Sequence, residues 1–326
     1  MPPPPDTTPK ITFGAFVDGY YAWDFDRPAG FDRAFTTQPL RYAEFNINLA
    51  YAAVQLNAPQ YRGRLSLQLG TSVEALYAGQ PKVGGIQYIQ EATVGYRLGP
   101  QLWIDGGIFA SYIGLEGWIS RDNLTYSRSL IADNTPYYLG GVKLTWTPND
   151  RLTALVAILN GWQIISNFRE LPALGLRVDY ALSSAVTVSY DNFLGDPGRF
   201  YNDFVVQYNP NARWQLAASF DLGLESGRTV YGGLVIAKYH ATDALAVVGR
   251  FERYADPHQI IVQTGLPGSF TANGGSFGVD VTPVHRLMWR SEVRGLFGDH
   301  AIFPLHHLGH YSRNDGFVVT SLALTI

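Results

Sequence analysis

The feature that most constrains this chain is a period-two alternation that recurs from Lys10 to the C-terminus. In an extended strand, successive side chains point to opposite faces, so such alternation gives one apolar and one polar face. Gln101–Ala110 sets Leu102, Ile104, Gly106 and Ile108 against Trp103, Asp105 and Gly107. Tyr137–Trp146 sets Val142, Leu144 and Trp146 against Lys143 and Thr145. Lys10–Trp23 puts Phe13, Ala15, Val17, Gly19, Tyr21 and Trp23 opposite Asp18 and Tyr20. In Leu40–Leu56, Phe45, Ile47, Leu49 and Tyr51 oppose Glu44, Asn46 and Asn48. Tyr61–Glu74 alternates most clearly, with Leu65, Leu67, Leu69 and Val73 opposite Arg62, Arg64, Ser66, Gln68 and Glu74. About sixteen segments of this kind follow one another.

The connections add a second regularity. Short turns at Pro59, Gly99, Pro148, Ser183, Pro210, Thr242 and Pro283 take turns with long loops. The loops are Asp24–Pro39, Ala75–Gly84, Ser111–Pro136, Trp162–Pro172, Gly195–Phe200, Gly223–Arg228, Ala255–Asn273 and Gly298–Asn314. Four short turns share Pro-x-x-Arg, and proline suits a corner because its φ is preset and it donates nothing to a ladder. Short turns on one rim and long loops on the other predict an all-β, transmembrane, antiparallel up-and-down β-barrel, with periplasmic turns and extracellular loops. Residues 1–9 read as a proline-rich periplasmic leader, and residues 10–326 as a single barrel.

Three considerations favour hydrocarbon over a soluble core. An extended chain crosses a bilayer only in a closed barrel, where every backbone polar group finds a partner. Polar faces carry charge in mid-strand, as at Arg177 and Asp179 or at Arg290, Glu292 and Arg294. Aromatic residues gather near strand ends (Tyr21, Trp23, Tyr96, Trp146, Trp162, Trp214, Tyr239, Trp289 and Phe297), as in interfacial girdles. Charged residues are only 16% of the chain and aromatic residues 14%, which suits a large apolar exterior. The net charge of −3 excludes a strongly basic nucleic-acid binder, and zero cysteines exclude disulfides and thiolate metal sites.

The chain resembles the OmpL-like β-barrel porins of Gram-negative envelopes. The likeness rests on Phe16-Val17-Asp18-Gly19-Tyr20-Tyr21, on Ile113-Gly114-Leu115-Glu116 followed by Asn123–Ser129, and on Pro136–Val142. It implies an outer-membrane porin: a channel for passive diffusion of small hydrophilic solutes, with outer-membrane lipid around it. In 16-stranded porins the loop after the fifth strand folds into the lumen, and that position here is Ser111–Pro136. Many such porins are trimers, so a homo-trimer or another protein partner is compatible with the resemblance. One departure is the C-terminal residue, Ile326, where many outer-membrane barrels end in phenylalanine.

Within residues 111–136, Glu116, Arg121, Asp122, Arg128 and Asp133 are the candidate constriction residues. A solvated outer loop would carry them equally well, but Ile113, Leu115, Trp118, Ile119, Leu124, Leu130 and Ile131 are too apolar for a free loop. Strand parity assigns Asp18, Glu44, Arg62, Arg64, Arg97, Asp105, Lys143, Arg177, Asp179, Arg250, Glu252, Asp280, Arg290, Glu292 and Arg294 to the pore lining. The mixed signs predict weak charge selectivity and, with acids and bases on opposed walls, a transverse field. The same charges also suit pairing across neighbouring strands.

Histidines cluster at His300, His306, His307 and His310, but with no carboxylate beyond Asp299 a surface group is the simpler reading than a metal site. No Gly-x-Ser-x-Gly, His-Glu-x-x-His or phosphate-loop motif occurs, and no cofactor is implied. Two other classes stay open: a non-conducting barrel acting as a structural sleeve or receptor, and a barrel enzyme pairing Ser127 or Ser129 with a loop histidine.

Overall fold

The computed structural model of the chain describes residues 8–30, 32–80, 84–166, 171–195 and 197–326, so most of the proline-rich leader lies outside the described residues. Sixteen antiparallel strands close into one barrel. They are β1 (Lys10–Asp24), β2 (Phe45–Asn57), β3 (Tyr61–Leu69), β4 (Ile89–Gly99), β5 (Leu102–Ala110), β6 (Tyr138–Asn149), β7 (Leu152–Leu159) and β8 (Ala173–Ala181). There follow β9 (Val186–Gly195), β10 (Arg199–Asn211), β11 (Trp214–Glu225), β12 (Arg228–His240), β13 (Leu245–Asp256), β14 (Phe270–Val284), β15 (Leu287–Gly298) and β16 (Asn314–Thr325). Each strand pairs with its chain neighbours, and β1 meets β16 from Phe16 opposite Thr325 to Asp24 opposite Phe317. Two short helices lie in the loops, α1 (Thr71–Leu76) and α2 (Leu130–Asp133).

The short turns are held by their own side chains. Asn149 Oδ1 accepts from the backbone N–H of Arg151 (2.9 Å) and Leu152 (3.1 Å), and Asn211 Oδ1 does the same for Arg213 and Trp214. Such local side-chain caps fix hairpin geometry, and hence register, without help from the core.

The outer face is apolar: Phe13, Phe45 and Val94 are 82%, 86% and 75% exposed. In water this would be one continuous apolar surface, far beyond what soluble proteins tolerate. Tyr61, Tyr96, Trp146, Tyr208, Trp214 and Trp289 are exposed beside the short turns, forming an aromatic belt. Trp162 does not join a belt. It packs inward on Phe193 and Tyr201, with centroids 5.0 and 4.9 Å away.

Three further expectations are corrected. In β2, Asp18 pairs with Leu49 but Gly19 with Ile47, so Asn48 is an extra, bulged residue. A bulge reverses the faces beyond it, and Leu49 and Tyr51 therefore turn inward against Phe16, not toward lipid. The third strand stops at Leu69. Gly70 has φ +136°, and a Cβ there would stand 2.3 Å from the Asn48 carbonyl oxygen. The chain then enters α1, which carries Glu74 to the rim, where it pairs with Arg41 at 2.7 Å. Glu44 precedes β2 and is exposed at the loop rim, beside Asn46, so it lines no lumen.

The lumen holds a core of its own. The inward faces of β7 (Leu155, Ala157, Leu159), β12 (Val230, Leu234, Ile236) and β13 (Val248) are buried against Ile113, Leu130 and Ile131 of the loop after β5. A second cluster joins Phe16 and Leu49 to Val73, Leu76 and Tyr77 of the α1 region and to Trp118, Tyr137 and Tyr138.

Candidate pore constriction

Residues 111–136 enter the barrel and run along its β12–β16–β1 wall. A loop with so little secondary structure carries many backbone groups that need partners once buried. Inward-facing charges of the wall supply them.

At the stem, Tyr112 sets its hydroxyl end over Gly175 and donates to the Asn192 carbonyl oxygen at 2.9 Å. A Cβ on Gly175 would come within 1.6 Å of the Tyr112 hydroxyl. We expect Gly175→Ala to displace the stem at a cost of about 1–3 kcal/mol, seen as faster hydrogen exchange in residues 111–116 and unchanged exchange in β10–β12. Equal protection in the variant would refute that role.

In mid-loop, five buried charges meet. Glu116 accepts from the Ser129 N–H (3.0 Å) and hydroxyl. Arg250 donates to the Ser127 carbonyl oxygen (2.6 Å), Thr125 Oγ1 (2.7 Å) and Ser127 Oγ (2.9 Å). Glu292 accepts from the Ser127 N–H (2.8 Å) and hydroxyl (2.6 Å). Glu252 accepts from the Leu130 N–H (2.6 Å) and from Arg294 Nε (3.0 Å) and Nη2 (2.7 Å).

The tip goes deeper. Arg290 donates to the Ser120 and Leu124 carbonyl oxygens (2.6 and 2.7 Å) while bound to Asp280, which also holds Lys238 at 2.5 Å. The Ser120 hydroxyl donates to Asp18 at 2.7 Å. Arg121 reaches the short-turn rim, donating to the carbonyl oxygens of Arg286 (2.8 Å) and His285 and to Thr325 Oγ1 (2.9 Å).

The return limb is clasped by the first long loop. Arg128 donates to Gly117 O (3.0 Å) and Thr37 Oγ1 (3.0 Å) and lies 4.0 Å from the Tyr137 ring centroid. Asp133 accepts from the Thr37 hydroxyl at 2.6 Å and from its N–H at 3.2 Å. Burial raises the Asp133 pKa above the ordinary carboxyl value, with its Thr37 hydrogen bond pulling the other way. A raised native pKa means that the packing that buries Asp133 is most stable when the acid is protonated and loses stability as pH rises from the ordinary carboxyl value through the raised one, the Thr37 hydrogen bonds only offsetting part of that loss. Asp133→Asn should remove that pH step, checked by exchange protection of residues 129–135 across acidic pH. A step that survives in the variant would assign it elsewhere.

The five candidate residues thus do not form one ring. Glu116 and Arg128 fix the loop's own shape, Asp133 holds the first loop, Arg121 pins the tip, and Asp122 is exposed beside a cavity of about 170 Å³ that Gln207 and Gln215 also border. Among the expected lining residues, Asp18, Arg250, Glu252, Asp280, Arg290, Glu292 and Arg294 are buried beneath the loop and do not face open water. The reason is that alternation fixes which way a side chain points, while the loop decides what it meets.

The remainder, Glu44 apart, lie on the opposite wall. Arg62 binds Asp105 through two hydrogen bonds (2.7 and 2.5 Å) and stacks on Trp103 at 4.3 Å. Arg64 pairs with Glu91 at 2.8 Å, and Arg177 with Asp179 at 2.9 Å and Asp191 at 3.2 Å. Arg97 is occupied by the Pro100 carbonyl oxygen (2.5 Å) at the turn. Asp203 was outside the expected lining, yet it stands directly between Asp191 and Asp221 across three neighbouring strands. The period-two count through Tyr201–Asn209 carries the signal that places it inward.

A closed antiparallel barrel of sixteen strands, apolar outside and carrying the loop after its fifth strand inside, is porin architecture. The chain belongs to the family described as "Putative beta-barrel porin-2, OmpL-like", which matches residues 10–324. No curated protein matches the sequence. Among solved structures, the anion-selective porin from Comamonas acidovorans superposes with a TM-score of 0.64 at 10% identity, covering 98% of this chain and 100% of that one. The trimer form of OmpT, an outer membrane protein of Vibrio cholerae, gives 0.63 at 9% identity over 98% and 100%. A mutant of the Rh. blastica porin gives 0.58 at 11% identity over 97% and 100%. At these identities the likeness is one of fold.

Proposed function

We propose that this protein is an integral outer-membrane porin through which small hydrophilic solutes diffuse, its bore narrowed by residues 111–136. The observation that carries this reading is the loop itself, bound inside the barrel by the Glu116–Arg250 ion pair and by hydrogen bonds from Arg250, Glu252, Arg290 and Glu292 of one wall. The bore is then left to the β3–β6 wall and the adjoining charges of β8, where Arg62, Arg64, Lys143 and Arg177 stand among Glu91, Asp105 and Asp179. Those mixed signs support weak charge selectivity. Bases concentrated on β3–β6 and acids on β8–β11 would orient a dipolar solute in passing. Reconstitution in planar bilayers tests the proposal: stepwise currents are expected, with a reversal potential close to zero under a salt gradient.

A second reading, a non-conducting sleeve or receptor, is favoured by the apolar cluster that fills the sector between β1–β2, α1 and Trp118. A properly folded barrel that carries no current would establish it in place of the first. A homo-trimer is proposed on the strength of the trimeric neighbour alone, and its test is native mass in mild detergent.

A further inference from the structure

We propose that the lumen wall of β3–β6 holds a binding site for a small monocarboxylate, with Lys143 as its central contact and Arg62 and Arg64 beside it. The proposal rests on the channel reading only for the route by which the ligand arrives.

Arg62, Arg64, Arg177, Lys238, Arg250, Arg290 and Arg294 each have a carboxylate within ion-pair distance, and Arg97, at the short turn, is held by the Pro59 and Pro100 carbonyl oxygens. Lys143 is different. It stands directly opposite Asp105 across β5 and β6, yet that carboxylate is engaged by two hydrogen bonds from Arg62 and none from Lys143. No acceptor among the described residues binds the Lys143 ammonium, whose contact is the Phe109 ring, 4.4 Å to the centroid. The next inward-facing pair along the two strands is Gly107 opposite Gly141, which leaves no side chain on that flank of the ammonium.

A half-buried ammonium without a counter-ion is unfavourable, and a charge-assisted hydrogen bond to an incoming anion relieves it. Arg62 spends Nε and Nη2 on Asp105 and keeps Nη1 for another acceptor, with its side chain 36% exposed. The local charge selects the anion. With Arg97 held at the turn by the Pro100 carbonyl oxygen, three cations (Lys143, Arg62, Arg64) against two acids (Asp105, Glu91) leave one positive charge at the site, which suits a single carboxylate better than a dianion. The faces of Trp103 and Phe109 flank the site and offer apolar surface to the rest of the solute.

The test titrates the folded full-length barrel in detergent with benzoate, and in parallel follows chloride current in bilayers as benzoate is added. Saturable binding is expected in the wild type, weakened at least tenfold in Lys143→Gln, restored in Lys143→Arg, and unchanged in His306→Ala on an exposed loop. Methyl benzoate, which lacks the charge, should not compete, a result that needs no variant. Chloride currents without saturable benzoate binding would overturn the site and leave the channel standing. Binding unaltered in Lys143→Gln would also overturn it. Saturable, Lys143-dependent binding in a barrel that passes no current would uphold the site and sink the channel.

Discussion

Excising residues 118–133 should raise the single-channel conductance several-fold. These residues occupy the β12–β16–β1 side of the lumen, and a sixteen-stranded wall without an insertion leaves a wide aqueous channel. The wall they uncover is nearly balanced in charge. Lys238, Arg250, Arg290 and Arg294 stand among Asp18, Asp280, Glu252 and Glu292, so these side chains can hydrate in place without repelling one another. Polymer-exclusion measurements on the variant check the bore directly. An unchanged cut-off would mean that the loop does not set the width.

The second large effect is expected at Glu252. Its carboxylate binds Arg294 at 2.7 Å, lies 3.3 Å from Arg250, and accepts the Leu130 N–H at the start of α2, all with essentially no solvent contact. Glu252→Ala would leave two guanidinium groups buried with one carboxylate fewer. Breaking a buried pair by removing one partner costs about 3–5 kcal/mol. The exposed Arg41–Glu74 pair, at the same 2.7 Å, should cost at most about 1 kcal/mol when Glu74 becomes Ala. Urea midpoints of the two variants, with protease sensitivity of residues 118–133, make the comparison. Equal losses would show that burial adds nothing to the network.

The closed barrel was legible in the chain because its cause is local. Each residue of a strand declares its face through its own polarity, and each turn declares itself through Pro, Asn or Gly. The exceptions have equally local causes that polarity does not reveal. Nothing about Asn48 marks it as a bulge, yet it reverses the assignments of Leu49 and Tyr51. Gly70 ends β3 through a close approach to the Asn48 backbone, a contact between strands that a single segment does not contain.

The site was legible in part. Parity turns Arg250, Glu252, Arg290 and Arg294 inward, but whether they meet water or the loop depends on residues more than a hundred positions away. A clue to the loop's resting place was present in the strands. Leu155 and Leu159 of β7, and Leu234 and Ile236 of β12, are apolar on the face where a water-filled lumen wants polar residues. Strands that are oily on both sides mark where something dry must lie against the interior.

The tip of the inserted segment touches β1 through Asp18, β15 through Arg290 and β16 through Thr325, and so straddles the junction of the first and last strands. A nascent sheet whose two ends have not yet met offers only part of that grip. The segment can therefore latch fully only after the cylinder shuts, and once latched it resists reopening from within, like a bolt that slides home when the door is closed.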